Sequence, residues 1–526
     1  RGCGGDGTAA AATAAAASAA AAASGGAMAV MVPDVWPLVL FLRLSVICVV
    51  GGIASFFLST KPRCKERKAL ICVQAFPPLL KSAGGVSKRY LTLCRALIDM
   101  GWKVSLMTPV DVTQSKEPEV DEWLKTGQLK HIPARGVRMR STDGIAVFLD
   151  VFSFYNGGFL LRELIWTGGY DVLIADDIPW RFALVLICRA AGVPSILTSH
   201  TDATQLASFR GNLSLHVVWY FHMLSAQLAD IHATVSKTFG DILRQRERVT
   251  VEAVWPPILW SKSFRDAPAT YAGEARALRK EWEAQLGFKP KTCFLYAGRW
   301  SSEKRIHKLF PTIPDDCALV VVGDGSSDYA EQIATSKLPR NVLLRRKMLG
   351  AEELRLAYAA ADVFVSASHF ETLGNTLIES WCAGTPPAVH PAQGHLEYCR
   401  DGANGFHVDY NDEKKARAKL ELISRERLWT ADKLPTLREQ GEFFRESDFP
   451  RMFMEAVVRP AVKLAEGRRG YVLETLNRGV TLAIWFALWP VFRFSLRSGF
   501  FIVSIFGPVK YEVLGKLGSS VEIKEE

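Results

Sequence analysis

Two successive series of short apolar runs constrain this chain more than any other feature, and most of the runs close on glycine or a polar side chain. The first series is ALICVQAF (69–76), VSLMTPV (104–110), DVLIADD (171–177) and PSILTSH (194–200). The second is TCFLYAG (292–298), ALVVVGDG (318–325), NVLLRR (341–346), ADVFVSAS (361–368) and TPPAVHPA (385–392). Helical stretches stand between the runs, the first of them passing through Arg95 to Met100. Short β-branched runs alternating with helices are the signature of βαβ units and parallel sheets. The expected fold is therefore α/β, with two tandem doubly wound domains facing across a cleft. The break falls near Val254–Pro257, where paired prolines interrupt regular structure. Ligands of such sheets sit beyond the carboxyl ends of the strands, so the groups that close the runs are the candidate site.

The 526 residues are enough for two or three domains, each able to bury a core. A hydrophobic share of 49% with 22% charged residues excludes a disordered chain, a collagen and a polytopic transporter. Ten cysteines are scattered without close pairs, so neither a disulfide framework nor a zinc ribbon is expected, and a reducing compartment fits better than secretion. The net charge of +10 is compatible with anionic lipid headgroups or phosphorylated substrates. It is too weak and too spread out to argue for nucleic acid.

Outside the two series the chain is unusual. Residues 8–27 are nearly all Ala, and 1–34 reads as an Ala-rich low-complexity leader, with Met28 or Met31 as the start of the chain proper. A plastid transit peptide fits less well, because 8–30 contains no Arg. Residues 35–58 carry a single charge, Arg43, and are long enough to cross a hydrocarbon core. The basic cluster KPRCKERK (61–68) follows, which by the positive-inside rule puts the rest of the chain on the cytosolic side of a single-pass anchor. Residues 479–509 are apolar and aromatic but broken by Pro490, Arg493 and Arg497. They suit an interfacial segment with Trp485 and Trp489 at headgroup level, or equally a pair of core helices.

Five motifs close the runs. Gly84-Gly85 after the first run lets backbone approach a ligand at a helix N-terminus, or simply makes a turn. It lacks the spaced glycines of a dinucleotide fold. Gly298-Arg299 followed by Glu303-Lys304 sets two cations at a strand-to-helix junction, able to hold a diphosphate or to form a solvated cap. Gly323-Asp324-Gly325 is a tight strand exit that can line a nucleotide pocket. Glu371-Thr-Leu-Gly-Asn-Thr-Leu-Ile-Glu379 places one carboxylate in a loop and one inside the next helix, where they can accept from two separate hydroxyl pairs. His200 ends its run at the cleft, where it can orient a substrate hydroxyl or share a proton.

The order and placement of these motifs say more than any one of them. On AGGVSKR, SHTD, YAGRWSSEKR, VVGDG, ELRLAYAAADVFVSASHFETLGNTLIESWCAGTP and DGANGFHV, the chain resembles the retaining glycosyltransferases of family four, of GT-B fold, over Ala69 to Val462. The resemblance implies that Gly84 and Gly85 lie against donor phosphates and His200 beside the transferred sugar. Arg299 and Lys304 would neutralise the diphosphate. Glu371 would bind sugar hydroxyls, and the backbone of Leu373, Gly374, Asn375 and Thr376 would contact sugar and phosphate. Glu379 would hold the ribose, with Gly298, Gly323, Asp324 and Gly325 lining the nucleotide pocket. ETLG, AYAAADVFV and the apolar tail look most like the sulfoquinovosyltransferases of sulfolipid synthesis. The chain departs from the pattern in three places: the Gly expected after Glu-Lys is Arg305, the Gly-Gly-x-x-Glu loop reads Gln393-Gly394-His395-Leu396-Glu397, and the N-terminal anchor is not expected for the plant sulfolipid enzyme.

The implied organisation is a leader (1–34), a transmembrane anchor (35–58), an acceptor domain (66–255), a nucleotide-sugar domain (256–440), helices returning to the first domain (441–470) and a membrane-associated tail (471–526). The expected reaction is retaining transfer of a sugar from a nucleotide diphosphate donor, such as UDP-sulfoquinovose, to a lipid hydroxyl such as that of diacylglycerol. No metal or cofactor is expected. Other readings are a mannosyl- or N-acetylglucosaminyltransferase acting on a dolichol or inositol lipid at the cytosolic face of the endoplasmic reticulum, and a silent membrane-bound sugar-nucleotide scaffold.

Overall fold

The computed structural model describes residues 67–467, apart from 74–75, 77–84, 109–110, 116, 135–136, 141–145, 150–159, 161–162, 164–168, 177–181, 203, 205–212, 256–261, 326, 431 and 447, and adds Tyr511–Val513. The leader, the expected anchor, Gly84 and the apolar run 479–509 lie outside the described residues. No helix among the described residues is long and apolar enough to cross a membrane.

The first half carries β1 (Lys68–Cys72), β2 (Lys103–Thr108), β3 (Leu129–Pro133), β4 (Val137–Arg140), β5 (Ala146–Leu149), β6 (Val172–Ala175), β7 (Ser195–Ser199), β8 (Ile231–Thr234) and β9 (Ala253–Val254). The second half carries β10 (Cys293–Ala297), β11 (Ala318–Gly323), β12 (Val342–Arg346), β13 (Val363–Ser366), β14 (Pro387–Val389) and β15 (Phe406–His407). Two sheets result, in the orders β3-β2-β1-β6-β7-β8-β9 and β12-β11-β10-β13-β14-β15. Every pairing within them is parallel. A parallel sheet is covered on both faces and needs continuous apolar strands. Accordingly β6, β7, β10 and β11 are buried at every position. A third, antiparallel sheet joins the β4–β5 hairpin to β16 (Tyr511–Val513).

In both large sheets the strand order reverses beside the first strand of the half, between β1 and β6 and between β10 and β13. Loops diverge at such a switch point and leave a crevice at the carboxyl ends. The helix Leu437–Glu446 still belongs to the second half. It packs on the helix Asn375–Cys382, with Trp381 and Phe444 stacked at 5.8 Å. The chain then crosses back. Phe449, Phe453, Val457, Val458 and Ala461 fill the core of the first half with Tyr90 and Trp255. The return thus begins after Glu446, where the sequence placed it from Gly441.

Candidate functional site

The crevice of the second half is built on the exits of β10, β11 and β13. Gly323 has φ +142°, and a Cβ there would lie 1.8 Å from the Gly298 carbonyl oxygen, so the β10 and β11 exits pass in direct backbone contact. That contact requires glycine. Gly298 N–H donates to Val322 O at 3.1 Å, and Trp300 N–H to Asp324 O at 2.9 Å. A Cβ on Gly325 would meet Trp300 O at 2.3 Å. The three glycines therefore fix the path that delivers Arg299. The Asp324 carboxylate accepts from Arg346 Nε and from Gly325 N–H, both at 2.8 Å.

Arg299 is partly exposed, with its guanidinium 3.5 Å from Glu303 Oε1. Glu303 is buried and accepts from Ser301 Oγ at 2.7 Å. Burial pushes its carboxyl up, but the Arg299 and Lys304 charges reverse this and hold it below the ordinary range. Lys304 Nζ donates to Glu371 Oε2, and Ser368 Oγ donates to the same oxygen at 3.3 Å. Burial raises Glu371 as well. The Lys304 ammonium beside it and the electrostatic effect of His395 outweigh that, so this carboxyl too is lowered. The crevice thus presents two cations, each facing an ionised carboxylate.

Glu379 is buried in the helix Asn375–Cys382 and accepts from the Tyr358 hydroxyl at 3.1 Å. Lys88, in the first turn of the helix Gly85–Asp99, brings an ammonium toward it across the cleft. Burial lowers the Lys88 pKa despite that carboxylate. Gly374 caps the Glu379 helix with φ +87°, leaving partly exposed Asn375 and Thr376 at a helix N-terminus suited to an anion. Leu373 is buried beneath. A Cβ on Gly394 would lie 2.7 Å from Leu373 Cα, and Gly394 N–H donates to Glu371 O at 2.8 Å. The turn 393–397 is thereby bound to the Glu371 loop. Arg305 (φ +48°) and Gln393 (φ +34°) keep a left-handed backbone where the family pattern has glycine. Such a conformation costs a side-chain-bearing residue about 1–2 kcal/mol. Arg305 is held by Ala367 O at 2.8 Å and Asn411 Oδ1 at 2.6 Å.

His200 faces this crevice from the first half. Thr198 Oγ donates to Ala175 O at 3.0 Å, so it is left to accept from the Tyr90 hydroxyl at 2.6 Å and from His200 Nε2 at 2.9 Å. That arrangement puts the imidazole proton on Nε2. Tyr90 and Trp255 meet the ring edge-on at 5.6 and 5.4 Å. Burial, then the charge of Arg89 and the proximity of His222, keep His200 neutral well below the usual histidine pKa. Behind it, Ser199 Oγ links His222 Nε2 at 2.7 Å and His232 Nε2 at 2.8 Å. His232 Nδ1 donates to Thr250 O at 2.9 Å, so Ser199 donates to His232 and accepts from His222.

The structure therefore brings Arg299, Lys304, Glu371, Glu379, Leu373, Gly374, Asn375 and Thr376 to one crevice and sets His200 and Gly85 on the facing half. It spends Asp324 on Arg346. Sequence reasoning missed Lys88, Tyr90, Thr198, Trp255, Ser236 and Thr372. Lys88, Thr198 and Thr372 carried a local hint, since each lies inside a stretch already singled out.

Comparison with known proteins agrees with this geometry. Residues 83–258 match the model for Glycosyltransferase Family 4, and 279–441 that for Glycosyl transferases group 1. The chain is 35% identical over 132 residues to the lipopolysaccharide core biosynthesis glycosyltransferase LpsE of Rhizobium meliloti, covering 24% of this chain and 38% of that one. It is 35% identical over 218 residues to the alpha-monoglucosyldiacylglycerol synthase of Streptococcus pneumoniae, covering 39% and 48%. The chain spans between 32% and 41% of the length of the first curated relatives it matches. Among solved structures, Anabaena Alr3699/HepE in complex with UDP and glucose superposes with a TM-score of 0.50 at 17% identity, over 76% of this chain and 99% of that one. With both halves matched in order and both sheets in place, the chain belongs to the family 4 and group 1 glycosyltransferases of GT-B fold.

Proposed function

We propose that the protein transfers a sugar from a nucleotide diphosphate donor to a lipid hydroxyl, with retention at the anomeric carbon. The observation that carries this reading is the meeting of Arg299, Lys304, Glu371 and Glu379 at the β10/β13 switch point, opposite a neutral His200. Two cations there stabilise charge on the departing diphosphate, the largest single term in reactions of this kind. Glu371 and Glu379 accept from hydroxyls of the sugar and the ribose. The bond from the anomeric carbon to the diphosphate oxygen breaks. The acceptor oxygen bonds to the same face, and its proton leaves to the diphosphate.

A nucleotide donor is favoured by the UDP-bound fold neighbour, and a lipid acceptor by the diacylglycerol-glycolipid synthase relative and by the apolar runs at 35–58 and 479–509. We place the acceptor half against a membrane for the same reason. The finer assignment, UDP-sulfoquinovose to diacylglycerol, rests on the motif resemblance. The test is a panel of radiolabelled nucleotide sugars offered with extracted lipids. Its arms are UDP-sulfoquinovose with diacylglycerol, UDP-glucose with diacylglycerol, and GDP-mannose or UDP-N-acetylglucosamine with dolichol and inositol lipids. One labelled lipid names donor and acceptor together. Nucleotide binding without transfer to any lipid overturns the reading in favour of a silent scaffold.

A further inference from the structure

The two halves are bridged by neutral and acidic groups that the reaction itself does not call on. Thr372, between Glu371 and Leu373, points its hydroxyl into the first half and donates to His200 O at 2.7 Å. Its own carbonyl accepts from Ser236 Oγ at 2.6 Å. Ser236 is the N-cap of the helix Lys237–Glu247 and also accepts from Phe239 N–H at 3.2 Å. The next two backbone N–H groups of that helix are capped from the opposite half: Lys237 N–H donates to Glu397 Oε1 at 3.1 Å and Thr238 N–H to Oε2 at 2.7 Å. A carboxylate on otherwise unsatisfied helix N–H groups is a favourable cap. At the other end of the helix, Arg246 grips the fully buried Asp202 with bonds of 2.7 and 2.9 Å. Asp202 lies two residues beyond His200.

These contacts form a closed ring. It runs from Thr372 to His200, along the chain to Asp202, across to Arg246, and down the helix to Ser236 and Thr238. Ser236 then returns to Thr372, and Glu397 returns through Gly394 to Glu371, whose carbonyl accepts Gly394 N–H at 2.8 Å. The apolar core of the second half reaches the same helix through Phe239 and Leu243, and Val235 just before its N-cap.

We propose that this ring is an interdomain latch in which Thr372 and Glu397 are positioning residues. They engage the helix Lys237–Glu247 when the cleft is shut, and so hold Glu371 and His200 in register. The positioning role rests on the proposed glycosyl transfer; the latch itself does not.

The experiment uses the full chain and two independent readouts. Hydrogen exchange of the peptide spanning Ser236–Gly240, with and without UDP as the probe, reports the latch whatever the chemistry. In Glu397→Ala and in the milder Glu397→Gln, these amides exchange faster, by about tenfold in the alanine variant, while core strands β10 and β11 keep their protection. Kinetics with the donor and lipid found in the panel report positioning. Thr372→Val lowers kcat by about tenfold with donor KM changed by less than about twofold, and Thr372→Ser, which keeps the hydroxyl, restores kcat to within about twofold. Unchanged exchange in both Glu397 variants overturns the latch. An unaltered kcat in Thr372→Val, or failure of Thr372→Ser to rescue, overturns the positioning role. If no sugar moves at all, the proposed function falls and the exchange result still decides the latch.

Discussion

The two halves share a topology but hold their polar groups differently. In the second half the candidate site sits on the rim of the core, carried by glycine turns and by side chains in the loops and helices that follow β10 and β13. In the first half polar groups run into the core itself: Thr198, Ser199, His200, His222 and His232 are all buried, and they hydrogen-bond to one another across β7, β8 and the helix Leu213–Leu228. A rim site is specified by short contiguous motifs. A buried polar network is specified by residues that meet only after folding, so each partner is worthless alone and costly if left unmatched.

Four measurements press on this contrast. The largest effect is expected for Lys304→Ala on the rim: transfer falls by about 10²–10³, as for loss of one preorganised electrostatic donor, with circular dichroism unchanged. Unaltered transfer removes Lys304 from the site. Next comes Gly323→Ala, which drives a methyl into the Gly298 carbonyl and is expected to destabilise the second half by about 3 kcal/mol or more in urea melts. A neutral result would mean the β10–β11 crossing is not as tight as drawn.

Acid probes the network of the first half. Burial lowers the pKa of His200, His222 and His232, so below about pH 6.5 the unfolded chain binds more protons than the folded one. Stability is then full above that pH and falls as pH drops, with each histidine contributing up to about 1.4 kcal/mol per pH unit. His222→Gln should flatten the pH slope of unfolding by up to one proton, and an unchanged slope between pH 5 and 7 would exclude His222 from the acid response. The smallest effect concerns the departure at Arg305. Arg305→Ala and Arg305→Gly lose the same bonds to Ala367 and Asn411, but only alanine keeps the left-handed penalty. The glycine variant should be the more stable of the two by about 1 kcal/mol, measured by chemical denaturation.

The same contrast governs what could be read before folding. The long, fully buried strands β10, β11 and β13 stand out as apolar runs, and Arg299, Lys304, Glu371 and Glu379 stand beside them in the chain. β8 was missed because His232 interrupts it, and only Ser199 and Thr250, remote in sequence, make that histidine tolerable in a core. β3 was missed because it is half exposed and mixed in character, and β9 and β15 because two residues carry no periodicity. Thr372 shows the limit most plainly. Its motif was legible, but its two partners lie more than a hundred residues away in the other half.

The helices after Phe449 close the molecule in a way that bears on its mechanics. Lys68 begins a strand of the first sheet, and the segment Phe449–Gly467 lies against that same half. The second half is therefore strung between two crossings from a frame formed by the first half. A pull on either end would load the frame first and reach the second half through the two crossings and the contacts of Thr372 and Glu397.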